Sequence, residues 1–265
     1  MNISTTSAPA RTDGYGTDTP AAPPVTEGGA RGLALGLTAG AVTWSAANFA
    51  FGFQPDTEVG IKATDLTGFA FQLGVLSLVQ LQLRTRATGA SRKAVAMLKV
   101  ERVLLALAMA WSLVHGLVPS ARDDVWLAVL DVFWPLSMLG MFVIGIKVAV
   151  AGRWRGAARL WPLVAESWAV VCIPVMGIFG PGIGDVVGAT HLLVGYATLG
   201  LVIAARPALV MPRAGERVSR AGRRPTFGPD MENDDGGRPR GEAGHRRHAV
   251  LLDPRRSWPG PWWTR

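Results

Sequence analysis

Six long apolar runs separated by short polar links fill the middle of the chain: residues 32–53, 66–83, 103–118, 125–150, 160–179 and 186–204. The third is extended by the turn that precedes it. A bilayer core of about 30 Å needs about 20 predominantly apolar residues at helical rise. Transmembrane barrel strands would instead alternate apolar and polar side chains over about ten positions, and these runs do not alternate. Backbone amides surrounded by hydrocarbon must find partners within their own segment. The pattern therefore predicts an all-α fold, a polytopic membrane bundle of six transmembrane helices over residues 31–205. Pro55, Pro119 and Pro181 punctuate three of the links, where helices are expected to stop.

Arg and Lys collect in alternate links, and this orients the bundle. The link between runs two and three carries Arg84, Arg86, Arg92, Lys93, Lys99 and Arg102. The link between runs four and five carries Lys147, Arg153, Arg155 and Arg159, and Arg206, Arg213 and Arg217 follow run six. The other links hold Asp56, Glu58 and Lys62, then Arg122, Asp123 and Asp124, then Asp185 alone. The expectation is a multi-pass protein of the cell (plasma) membrane with both termini cytoplasmic.

Composition agrees. Of 265 residues, 49% are hydrophobic and 17% charged, against about a quarter charged in soluble domains. The formal net charge of +8 would suit nucleic acid, but the basic residues flank apolar segments, where anionic headgroups lie. No nucleic-acid module is present. Residues 1–30 and 206–265 lack apolar periodicity and are expected to be disordered. The C-terminal tail brings His245, Arg246, Arg247 and His248 together, with Trp258, Trp262 and Trp263 beyond them. Such a tail either lies on anionic lipid headgroups or extends into solvent. No cleaved signal precedes the first run, which should act as an uncleaved anchor. Cys172, the lone cysteine, falls inside an apolar run and reads as a buried thiol.

Ionisable groups within membrane spans are costly and mark functional candidates. Asp131 lies six residues into the fourth run, roughly 9 Å below its boundary. Pro135 follows one turn later and frees a backbone carbonyl nearby. His115 lies near the end of the third run and His191 near the start of the sixth, so His115, Asp131 and His191 form a candidate polar pocket on the outer side. An imidazole beside a carboxylate suits a proton-coupled step. Two histidines and an aspartate would also hold a transition metal, and two histidines would ligate haem from both sides. The plainer alternative has both histidines hydrogen-bonded to water and Asp131 paired with a neighbouring helix.

Glu166 is expected to pair with Arg159 near the inner face. Gln72, Gln80, Gln82 and Asn48 suit interhelical hydrogen bonds. Gly32, Gly36 and Gly40 recur every four residues on one face, as do Gly184 and Gly188. This spacing lets helices approach closely, within the fold or in a homo-oligomer. Trp44, Trp111, Trp126, Trp134, Trp161 and Trp168 suit interfacial belts and packing, and not a ligand cage.

The stretch Trp134-Pro135-Leu136-Ser137-Met138-Leu139-Gly140, with Gly145 and then Ala151-Gly152-Arg153-Trp154-Arg155-Gly156, resembles a pattern in uncharacterised small multi-pass membrane proteins of high-GC Gram-positive bacteria. The resemblance covers runs four and five. It implies location and fold, and no reaction. The chain has no Walker loop, Gly-x-Ser-x-Gly, His-Glu-x-x-His or kinase signature, so a soluble-type enzyme is not expected and no cofactor is required. Three classes remain: an ion- or proton-coupled transporter, a membrane scaffold or regulator acting through its tail, and a haem or metal membrane protein.

Overall fold

A computed structural model describes residues 25–212. Within it every regular element is helical: α1 Glu27–Phe51, α2 Glu58–Thr85, α3 Arg92–Leu117, α4 Val125–Asp131, α5 Phe133–Ala151, α6 Ala157–Glu166, α7 Trp168–Leu192 and α8 Thr198–Ala205. Expectations for residues 1–24 and 213–265, including the headgroup-binding tail, lie outside the described residues.

Short polar residues start the helices. Thr26, Thr57 and Ser91 accept hydrogen bonds from Gly29, Gly60 and Ala94 through their side-chain oxygens, at 3.1, 3.2 and 3.2 Å, each satisfying an amide the first turn leaves unpaired. Thr57→Ala should therefore cost about 1 kcal/mol, read as a lower melting midpoint of the purified protein, and Thr57→Ser should restore it. Two edges differ from the sequence expectation. α1 begins at Glu27, inside the segment expected to be disordered, because Thr26 caps it. Past Ala205 the chain stays ordered through a 3-10 turn, with Val210 and Met211 buried and Leu209 O accepting from Arg155 N at 3.0 Å.

Four stretches are long and apolar enough to cross a membrane: Glu27–Phe51, Glu58–Thr85, Val125–Ala151 and Ala157–Ala205. The third is interrupted at Val132, between α4 and α5. Pro135 lacks the amide that would bond back to Asp131, and its ring crowds that carbonyl. The fourth stretch has 49 residues, about 74 Å at helical rise. It folds back on itself at Gly180, whose φ of 78° and ψ of 178° are not helical. The two legs then run antiparallel: Trp168 Nε1 donates to Gly188 O at 3.0 Å, Ser167 Oγ meets His191 Nε2 at 3.2 Å, and Trp161 Nε1 donates to Val194 O at 3.0 Å. α3 has the length to span, with 26 residues, and opens on Arg92, Lys93, Lys99, Glu101 and Arg102.

The links sort to two ends. At one end, Phe53 N donates to Asp185 Oδ1 at 3.1 Å, and Arg122 holds Glu58 through two bonds of 2.7 and 3.1 Å. This end carries most of the carboxylates. At the other, Arg31 Nε donates to Ala204 O at 3.0 Å and Trp154 Nε1 to Thr85 Oγ1 at 2.9 Å. Outward faces between the ends are apolar, with Val42, Leu73, Val103, Val143, Ile173 and Leu201 all exposed. A patch of that extent is unfavourable in water and suits a lipid surrounding.

Candidate functional site

α2 and α3 build one wall of a cavity at the carboxylate-rich end. On α2, Asp65, Gly68 and Gln72 follow helical spacing and face the same way. On α3, Ser112 and His115 do likewise. The cross-links are direct: His115 Nδ1 lies 2.7 Å from Asp65 Oδ2, and Ser112 Oγ donates to Gln72 Oε1 at 3.1 Å. Gly116 makes room for this pair, since a Cβ there would lie 2.9 Å from Asp65 Cβ. Arg122 Nε closes the end of α3 by donating to His115 O at 2.8 Å, and the His115 ring stacks on Trp111 with centroids 4.7 Å apart.

Aromatic rings form the rest of the wall. Trp44 stacks on Phe71 at 4.8 Å and meets Phe53 edge-on at 5.5 Å. Trp168 lies 5.5 Å from Trp134 and 5.3 Å from Phe53. These side chains enclose about 830 Å³ together with Asp65, Asp131, Asp185 and His115, a volume within the range of small-molecule sites. Three aspartates and one histidine line the space, and none of the lining residues is Lys or Arg. Two polar atoms on the wall, Trp44 Nε1 and Thr64 Oγ1, are buried without a hydrogen-bond partner.

No family model, curated protein or solved structure matches the chain. The residues of this cavity therefore carry the functional reading themselves.

Of the residues the sequence singled out, His115 and Asp131 line the cavity and His191 does not. The helix resumes directly after Gly180, so His191 stands eleven residues along it, about 16 Å from the turn, and bonds to Ser167 instead. The partner of His115 is Asp65, which falls one residue before the second apolar run. The Glu166–Arg159 ion pair does not form. The two residues are seven apart on α6, two turns or about 10 Å of rise. Arg159 Nε donates to Ala149 O at 2.8 Å, while Glu166 is 0% exposed and accepts from Gln82 Nε2 at 3.4 Å.

Two further expectations change. Trp44, Trp134 and Trp168 pack against one another, as expected, but they also line the cavity, where no ligand cage was expected. In the glycine stripe, an added Cβ would clash only at Gly40; at Gly32 it would meet nothing within 4 Å and at Gly36 only Ser77 Oγ at 3.8 Å. Glu101 also escaped the sequence reading, lying two residues before the third run. Its side chain is 2% exposed and accepts from Ser137 Oγ at 2.5 Å. The available signal was periodicity: Glu101, Ala108, Ser112 and His115 fall on one face of α3.

Proposed function

We propose that the chain is a six-span plasma-membrane protein, both termini cytoplasmic, whose outward cavity binds a small organic cation as the loading site of an ion- or proton-coupled transporter. Two antiparallel legs from Ala157–Ala205 and the length of α3 support six crossings rather than four. The Arg- and Lys-rich links favour the cytoplasmic side for the end away from the cavity.

One observation carries the cation reading: a cavity lined by three aspartates and several aromatic rings, without Lys or Arg. Carboxylates attract positive charge, and aromatic faces add about 0.5–2 kcal/mol for a cation at each well-placed ring. Asp65 already bonds to His115, whereas Asp131 makes no hydrogen bond or ion pair among the described residues and is the freer counter-charge.

The protein in lipid nanodiscs is titrated with benzyltrimethylammonium, followed by tryptophan fluorescence, with benzoate as the anionic control. Binding should saturate for the cation only. Asp131→Asn should weaken it about tenfold, the equivalent of about 1.4 kcal/mol. Equal response to both probes, or an Asp131→Asn variant that binds like the parent, would remove the reading. Uptake of the same cation into proteoliposomes under a pH gradient separates a transporter from a static binder. Flux lost in Asp131→Asn is the expected result, and no flux in the parent protein would leave only binding.

A further inference from the structure

Away from the cavity, the bundle encloses two glutamates with no cation beside them. Glu101 comes from α3 and Glu166 from α6, with 2% and 0% of their surfaces exposed. They are electrostatic neighbours, and both act on Tyr196. α2 contributes Gln82, 0% exposed, and α5 contributes Ser137 with the bare backbone of Gly140 and Gly145. Tyr196 reaches the group from the π-helical turn Leu193–Ala197, its ring edge-on to Phe71 at 5.0 Å. Among the described residues, Glu101 acts on Glu166, and no Lys, Arg or His acts on either carboxyl. On α3, Glu101 stands eleven residues from Ser112 at the cavity wall, about 16 Å of rise.

The hydrogen bonding of this group is half complete. Gln82 Nε2 donates to Glu166 Oε1 at 3.4 Å. The other oxygen of each residue, Glu166 Oε2 and Gln82 Oε1, is buried without a partner. Both are acceptors, and a buried acceptor without a donor is costly; the Tyr196 hydroxyl is a third buried polar atom of the group without a partner. Two carboxylates that feel one another in a low-dielectric interior add like-charge repulsion.

We infer that the Glu101–Glu166 pair is a second, enclosed site whose ligand is a proton, held on Glu166 Oε2 and donated to Gln82 Oε1. A carboxylic acid and a primary amide joined this way form a closed ring of two hydrogen bonds. One proton then satisfies both of these oxygens and removes one of the two like charges. Protonation converts the Glu166 carboxylate to the acid and needs no other reactant. The site stands apart from the cavity and does not depend on what the cavity binds.

The test is infrared difference spectroscopy of the full chain in nanodiscs at neutral pH, in H2O and D2O. The parent protein should show the carbonyl stretch of a protonated, hydrogen-bonded carboxyl, shifted by D2O. Glu166→Gln should lose that band, and Glu101→Gln should keep it. Gln82→Leu retains both glutamates and should move the band to higher frequency, because the ring is opened. That variant also decides the matter if Glu166→Gln does not fold. No such band in the parent, a band unchanged in Glu166→Gln or in Gln82→Leu, or a band abolished by Na⁺ at constant pH overturns the inference. The last result would make the site a sodium site.

Discussion

Trp44→Ala is expected to lower the stability of the purified protein by about 3 kcal/mol, the low end of the cost of truncating a buried tryptophan in a soluble core. The low end applies because apolar transfer from water contributes little between helices in lipid, where the tails are as apolar as leucine. What remains is lost packing and the void left behind. Trp44 is 5% exposed and touches Phe53, Phe71, Trp134 and Trp168, with centroids 4.8–6.2 Å apart. It thereby braces α1 against α2, α5 and α7 at once. Trp126 is 50% exposed, and Trp126→Ala should change the melting midpoint little. The comparison is made by thermal unfolding of both variants in the same detergent. Equal midpoints for Trp44→Ala and the parent would show that the aromatic cluster is not a brace. The same variant should bind benzyltrimethylammonium more weakly, since its ring forms part of the cavity wall.

Helical class was legible because continuous apolar runs leave the backbone no other way to bond in hydrocarbon. Each run lies mainly within one helical leg, the first overrunning α1 at Gly52 and Phe53, and Pro55, Pro119 and Pro181 stand at or beside the turns. The site was legible only in pieces. The second and third runs were begun after the charged residues that open them, so Asp65 and Glu101 dropped out although α2 and α3 continue through both. The fold makes room for these acids with glycines on facing helices, Gly116 against Asp65 and Gly140 against Glu101. That complementarity spans distant parts of the chain, and one sequence does not reveal it. His191 was misplaced for a related reason: the last helix starts at Pro181, earlier than its hydrophobicity suggests, so counting from residue 186 set the histidine too near the end.

The glycine stripe of α1 yields the second large effect. Gly40→Val should prevent the bundle from folding, or cost more than the 1–3 kcal/mol typical of overpacked cores. A Cβ on Gly40 would lie 2.7 Å from Ala70 O and 2.8 Å from Phe71 Cα, both backbone atoms that no rotamer change can move. The contact is reciprocal, for a Cβ on Gly74 would lie 2.9 Å from Leu37 Cα and 3.0 Å from Gly36 O. α1 and α2 therefore meet backbone to backbone at Gly40 and Gly74, and a valine at either position drives them apart. Gly32 belongs to the same stripe in sequence, but a Cβ there meets nothing within 4 Å. Gly32→Val should leave the folded yield and melting midpoint near those of the parent. Size-exclusion profiles and melting curves of the two variants measure the contrast. A well-folded Gly40→Val, or a Gly32→Val as damaging as it, would contradict the close seam between α1 and α2, on which the positions of Trp44 and the α2 wall of the cavity depend.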